Sequence, residues 1–280
     1  MASPREFYKN QLMLSKWLVE VPLDLEENWL LILCPEGRRN LVVAANGSTK
    51  VFSKSGKHVN SFQSNLPGGN RNQGKRRNKC TILDCIYSES KGIFYILDMM
   101  CWDGHQYHEC DTEFRLSWVQ QKLIENQDLK ERYKINPYSF QSLPFYRCTK
   151  EIITEALNSP MPFNDNLDGL LIYHKRVHYM PGKTSLVGWI KAYMVPELLN
   201  IQVCKNLMEQ RPVDYEGMKT NLKKQKEKIM LRRMKKCEVR LTRLKSIVKN
   251  GDCWEYKEDK GDTGKHEEGN KKQEEVTVTK

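Results

Sequence analysis

Trp29-Leu-Leu-Ile-Leu-Cys34, Leu41-Val-Val-Ala-Ala45 and Lys50-Val-Phe-Ser53 follow one another closely, with Asn46-Gly47 and then Lys54-Ser55-Gly56 as punctuation. Short apolar runs rich in branched and aromatic side chains pack well on a pleated surface, so these read as strands. Asn-Gly and Ser-Gly tolerate positive φ and therefore read as the turns between them. The β pattern continues to Phe62. Beyond it, Thr81 to Tyr87 and Ile93 to Met100 predict a hairpin joined by Ser-Glu-Ser-Lys-Gly, and Leu170 to His174 and Leu186 to Tyr193 predict two further strands. Leu116, Val119 and Leu123 fall at helical spacing, which predicts a helix over Thr112 to Glu125 with Asp111 or Thr112 as its N-cap. A second short helix is expected from Lys150 to Leu157, before Asn158-Ser-Pro160. Residues 67–79, glycine-rich and basic, read as a loop that must stay solvated. The fold class is α+β, with antiparallel β-sheets dominating and helices flanking them.

The 280 residues carry 46 Lys and Arg against 35 Asp and Glu, a formal charge of +11. From Lys219 to Asn250 there are thirteen cations and only Glu227 and Glu238, so the remainder balances at 33 of each sign. Basicity therefore belongs to one segment, in which Met230, Met234, Cys237, Leu241, Leu244 and Val248 are spaced 4, 3, 4, 3, 4. That spacing predicts a C-terminal basic helix with an a/d seam, which could dock on the body, meet a partner helix or contact RNA phosphates. After Gly251 the chain is too polar to offset its ordering entropy and reads as a disordered tail. The expected organisation is a body over residues 1–205, a basic amphipathic segment over 206–250 and a charged tail over 251–280. Nine cysteines without a C-x-x-C pair, and no apolar signal core, indicate a reducing compartment. The longest apolar run, Trp29 to Cys34, is far below the roughly 18 residues a membrane span needs.

Asn10-Gln-Leu-Met-Leu-Ser-Lys-Trp-Leu-Val-Glu-Val-Pro22 begins a series of blocks that continues through Trp29 to Cys34, Gly47-Ser-Thr49, Lys54-Ser-Gly56, Leu66-Pro-Gly-Gly-Asn-Arg71, Thr81-Ile-Leu-Asp-Cys-Ile-Tyr87, Met100-Cys-Trp102, Asp168-Gly-Leu-Leu171, His178-Tyr179 and Leu186-Val-Gly-Trp189. Over about residues 7–203 these resemble the cap-binding domain of the snurportin family. The resemblance implies recognition of the 2,2,7-trimethylguanosine cap of spliceosomal small nuclear RNA by an adaptor for snRNP nuclear import that shuttles between cytoplasm and nucleus. It also implies importin-β and exportin as partners. Only a short stretch precedes Gln11, so the N-terminal importin-binding arm of the family is expected to be absent.

The family's cap domain resembles the nucleotidyltransferase core of mRNA capping enzymes and ligases, whose K-x-D-G-x-R lysine takes the nucleotide covalently. The comparable stretch here is Cys34-Pro35-Glu36-Gly37-Arg38-Arg39, so the nucleophile is missing. In Leu83-Asp84-Cys85-Ile86, isoleucine stands where such enzymes place a metal-binding glutamate. Asp168-Gly169-Leu170-Leu171 persists, while the paired lysines of a later motif are reduced to Gly188-Trp189-Ile190. The expectation is a scaffold without chemistry: no enzyme activity, no cofactor and no metal.

N7 methylation makes guanine cationic, so an indole face gains a cation–π term in addition to stacking. Trp189 is the expected platform, Trp17 the wall for the N2 methyls, Leu14 and Ser15 the lining of the base edge, and Cys34 either pocket wall or plain core. Arg39 and Lys54 are expected to meet the phosphates from adjacent strands. Gly69 to Lys75 fits G-x-x-x-x-G-K, but Arg76 replaces the Mg²⁺-binding Ser or Thr and a strand follows, so a P-loop is rejected. Cys101, His105, His108 and Cys110 lack zinc-finger spacing, and Asp103-Gly104 reads as a hairpin turn. His174 and His178 read as structural. Two alternatives stay open: an active guanylyltransferase or ligase, and a general basic RNA-binding protein.

Overall fold

The computed structural model describes residues 4–71 and 79–249. The chain divides into two units, residues 1–223 and 224–280. The first opens with a short helix α1 (Pro4–Tyr8), the strand β1 (Met13–Trp17) and a helical turn α2 (Leu25–Asn28). The strands β2 (Trp29–Pro35), β3 (Arg38–Ala45), β4 (Ser48–Ser53) and β5 (His58–Phe62) follow the sequence signals closely. Asn46 and Gly47 have φ of 53° and 76°, so both take the left-handed conformation of the tight turn that joins β3 to β4.

The hairpin β6 (Cys80–Ser88) and β7 (Ile93–Trp102) leads through a second tight turn, Asp103-Gly104, into the short β8 (His105–Gln106) and α3 (Thr112–Glu125). Next come β9 (Ser139–Ser142), β10 (Phe145–Arg147) and α4 (Lys150–Asn158). The body closes with β11 (Leu167–His174), β12 (Gly182–Ile190), a 3-10 turn, α5 (Val195–Leu199) and α6 (Lys205–Glu209), before α7 (Met218–Lys249).

Two sheets result. One runs β1-β12-β11-β2-β10, the other β5-β4-β3-β6-β7-β8 with β9 also paired to β7. All pairs are antiparallel except β1 with β12 and β7 with β9. Every residue of β2 is buried, which is why it shows an unbroken apolar run rather than alternation. The two sheets share a core: Ile86, Ile93, Tyr95 and Leu97 of β6 and β7 join Leu31, Leu33, Leu170 and Ile172 of the other sheet. Each such side chain contributes roughly 1.5–3 kcal/mol of burial.

Two buried ion pairs cross this core. Asp98 on β7 receives two hydrogen bonds of 2.8 Å from Arg115 on α3, both side chains being fully buried, and a third from the Tyr173 hydroxyl at 2.6 Å. Asp84, its register partner on β6, is bound in the same way by Arg39 and Tyr179.

Several sequence expectations are corrected. Gly68, Gly69 and Asn70, expected in a solvated loop, are buried. A Cβ on Gly69 would lie 2.5 Å from Ser64 Oγ and 2.7 Å from Thr49 Oγ1, and the Asn70 amide donates to the Ser64 carbonyl. Asp111 occupies the N-cap of α3 without a side-chain bond, and the Thr112 hydroxyl donates instead to Val177 O. Thr149, by contrast, caps α4 by accepting from the Ile152 N–H. The last strand ends at Ile190, because Ala192–Met194 is already a 3-10 turn. Beyond residue 205, Leu207, Tyr215 and Met218 are also buried in the core. Helix α7 carries its apolar seam in the open: Met230, Met234 and Leu241 are each more than half exposed. Among the described residues, no helix is long and apolar enough to cross a membrane. The tail from residue 251 and most of the P-loop-like run, residues 72–78, lie outside the described residues.

Candidate functional site

Strands from both sheets line a cavity of about 330 Å³, within the size range of small-ligand sites. Its walls are Leu14 and Ser15 of β1, Cys34 and Pro35 of β2, Gly37, Arg39 of β3, Lys54, Ile86 of β6, Asp168 of β11, and Lys183 and Trp189 of β12. Six of the seven residues singled out in the sequence are therefore brought together: Leu14, Ser15, Cys34, Arg39, Lys54 and Trp189.

Trp189 forms the aromatic wall, and Gly169 is what admits it. A Cβ at position 169 would stand 2.5 Å from Trp189 Cζ2 and 2.7 Å from the Ile190 carbonyl oxygen, so only glycine lets the indole lie against β11. The neighbouring Asp168 is ion-paired with Lys191, whose ammonium lies 5.8 Å from the centroid of the Trp189 ring. The persistence of Asp168-Gly169 thus has a physical cause: one residue seats the indole and the other anchors the strand that carries it.

Cys34 is buried, and burial pushes its thiol up to about 12. A thiol held neutral at physiological pH is neither a nucleophile nor a thiolate ligand. Of the two roles open for it in the sequence, it fills both, as part of the core and as cavity wall. Ile86 adds a second apolar surface. Among the described residues, no three His, Cys, Asp or Glu side chains gather as a metal site.

Arg39 is anchored from below. Its Nε and Nη2 donate to Asp84 at 2.5 and 2.7 Å, and Nη2 also donates to the Met13 carbonyl at 2.9 Å. Burial opposes its charge, but Asp84 beside it more than offsets this and raises the guanidinium above its ordinary value. The Tyr179 hydroxyl donates to Asp84 at 2.6 Å and accepts from Met13 N at 2.9 Å, tying β1 to the same network. Arg39 therefore reaches the cavity with its charge already partnered.

Trp17 is not brought into the cavity. It lines a second depression of about 230 Å³ with Lys16, Leu18, Trp29, Leu186 and Val187. The β1–β12 ladder is interrupted just before Trp17. Leu14 pairs with Lys183, but Lys16 pairs with Gly188, so residues 184–187 bulge out of register. Strand β1 passes from one depression to the other at that break. Trp17 and Trp189 are nevertheless ladder neighbours in the parallel β1–β12 pair, and both pack against the same core.

Sequence reasoning missed Lys183, a cavity residue with no motif around it. The only local signal is Gly182, whose φ of +101° turns the chain where β12 begins. A further hollow of about 370 Å³, lined mainly by Val21, Leu23, Leu25, Ile153 and Leu199, has no aromatic platform.

Among solved structures, the chain is similar to one titled Pmar-Lig_PreS3 at 12% identity and a TM-score of 0.47, covering 64% of this chain and 46% of that one. It is also similar to the ATP-dependent DNA ligase from bacteriophage T7 complexed with ATP, at 13% identity and a TM-score of 0.42, covering 66% and 69% respectively. The ligase domain of M. tuberculosis LigD matches at 16% identity with a TM-score of 0.37, over 64% of this chain and 58% of that domain. The chain thus spans under half the length of the first of these structures. A family model described as Snurportin1, m3G cap-binding domain, matches residues 11–192, the stretch that supplies every wall of the cavity. The chain belongs to the snurportin m3G cap-binding domain family.

Proposed function

We propose that this protein holds the 2,2,7-trimethylguanosine cap of spliceosomal small nuclear RNA without reacting with it, as an adaptor for snRNP nuclear import. The observation that carries the reading is the Trp189 indole seated on Gly169, in a cavity whose wall includes the buried thiol of Cys34, where the resemblance to capping enzymes would set a lysine. A base methylated at N7 is cationic, and stacking on the indole contributes about 1–3 kcal/mol with a further ~0.5–2 kcal/mol of cation–π attraction. The N2 methyls remove donors and add apolar surface, which suits Leu14, Cys34 and Ile86 better than a carboxylate would. At ~0.8 kcal/mol per buried methylene, two methyls correspond to about ten-fold discrimination. Lys54 and Arg39, both in the cavity wall, are the cations we assign to the phosphate bridge, Arg39 with its charge partnered by Asp84.

Family membership supports capped RNA as the ligand. The import role, with snRNP, importin-β and exportin as partners and shuttling between cytoplasm and nucleus, is the reading that accords with it. Titrating a trimethylated cap analogue should quench tryptophan fluorescence with about ten-fold tighter binding than a monomethylated one, and Trp189→Ala should abolish the difference. Equal affinity for both analogues in the wild type would sink the proposal. Incubation with labelled GTP and Mg²⁺ should leave no covalent adduct, because no lysine occupies the position of Cys34.

A further inference from the structure

We infer that Lys183 and Lys54 form a two-cation seat for a polyphosphate, with Lys183 adding an unpaired charge beside Arg39, which is already ion-paired with Asp84. The inference rests on the cap-binding reading for its natural ligand and on the structure's charges for its residues.

Four cations stand in or beside the cavity. Arg39 is tied to both oxygens of Asp84 and to the Met13 carbonyl. Lys191 is tied to Asp168, the only carboxylate in the cavity lining. Among the described residues, neither Lys54 nor Lys183 has an ion-pair partner, and both are exposed lining residues of the cavity. A phosphate chain entering there meets two uncommitted ammonium groups. It also meets one carboxylate whose charge is already balanced.

The backbone explains how an exposed lysine is held in place. Gly182 N–H donates to the Leu12 carbonyl at 3.0 Å, and Lys183 pairs with Leu14 in the β1–β12 ladder. The register break comes immediately afterwards, so Lys183 ends the first paired stretch of β12 with β1, before pairing resumes at Gly188. Lys54 follows directly on β4, the ladder partner of β3, which carries Arg39. Lys183 thus comes from one sheet and Lys54 from the end of a strand of the other, so each side presents one cation without an ion-pair partner among the described residues. Ammonium groups act as compact point charges with rotatable donors, which suits a flexible chain of phosphates better than a planar guanidinium locked onto Asp84.

The test compares trimethylguanosine nucleoside, which has no phosphate, with a trimethylguanosine dinucleotide bridged by triphosphate, by tryptophan fluorescence at low and moderate salt. Lys183→Ala should weaken the dinucleotide roughly 5- to 10-fold, reduce its salt dependence, and leave the nucleoside unchanged. Lys183→Arg should stay within about twofold of wild type, Lys57→Ala should have no effect, and thermal melting should be unaltered in all of these. The inference is overturned if Lys183→Ala leaves dinucleotide binding within twofold, or weakens the nucleoside equally. Inorganic tripolyphosphate, measured by calorimetry, reads the seat without any base. If wild type binds neither methylated ligand, the cap-binding reading fails by itself. Tripolyphosphate binding that depends on Lys183 would then still uphold the seat, and its absence would overturn it.

Discussion

At position 169 a single missing side chain determines whether the site exists. Gly169→Ala brings a methyl to within 2.5 Å of Trp189 Cζ2 and 2.7 Å of the Ile190 carbonyl oxygen, on a β11 that is paired with β12 through Leu170 to Tyr173. We expect this variant to lose about 1–3 kcal/mol of stability by urea denaturation, and cap-analogue binding to fall at least ten-fold as the indole is displaced. A variant of wild-type affinity would show that Trp189 is not the platform. The cysteines give a second prediction at this scale. Cys80 Sγ lies 3.5 Å from Cys101 Sγ, and the hydrogen bond from Cys101 lowers the Cys80 thiol to about 7, whereas burial holds Cys34 at about 12. Since the thiolate is the reactive form, iodoacetamide labelling of Cys80 should rise several-fold between pH 6 and pH 8, while Cys34 stays unlabelled at both. Peptide mapping by mass spectrometry reads both sites, and early labelling of Cys34 would contradict its burial.

Strands and helices set the positions of these residues, and the buried ion pairs hold the elements together. Asp98 and Arg115 join β7 to α3, with both side chains fully removed from solvent. Removing one partner leaves an uncompensated charge in the core, so Asp98→Asn should cost about 3–5 kcal/mol in chemical denaturation. Arg38 and Glu89 form a pair of similar length at 74% and 69% exposure, and Arg38→Ala should change stability by less than about 1 kcal/mol. A result in which both substitutions cost the same would mean that burial is not what distinguishes the two pairs. The same logic explains why Arg39 serves as a wall of the site. Its partner Asp84 is buried between Arg39 and Tyr179, and together they bind β1, β3 and β6 into one rigid side of the cavity.

For the molecule as a whole, charge is segregated. The thirteen cations from Lys219 to Lys249 sit on α7, while the rest of the chain is balanced. A general affinity for RNA and a specific affinity for a cap should therefore separate on truncation. A chain ending at Lys223 should keep wild-type binding of the trimethylated cap analogue and lose most cap-independent, salt-sensitive binding to uncapped RNA. If the truncated chain lost cap binding too, the site would extend beyond the cavity described. Much of the fold was legible locally. Asn46-Gly47, Asp103-Gly104, the apolar run of β2 and the helical spacing over 112–125 each report short-range physics, in which a residue's own φ preference or its neighbours three or four positions away decide the outcome. That position 34 is a cysteine and position 86 an isoleucine was equally visible, because an identity needs no coordinates.

Membership of the cavity was another matter. Arg39 looked like a free cation until Asp84, 45 residues away, was found against it. That Trp17 and Trp189 are register partners follows only from the parallel pairing of β1 with β12, over 170 positions apart in the chain. Lys183 carried no motif and became a site residue only when β12 was laid beside β1. The chain's own order therefore determined its elements. Which side chains share one space, and which charges remain uncommitted there, was decided by long-range strand register and burial, because electrostatic pairing and packing depend on distances that sequence separation does not encode.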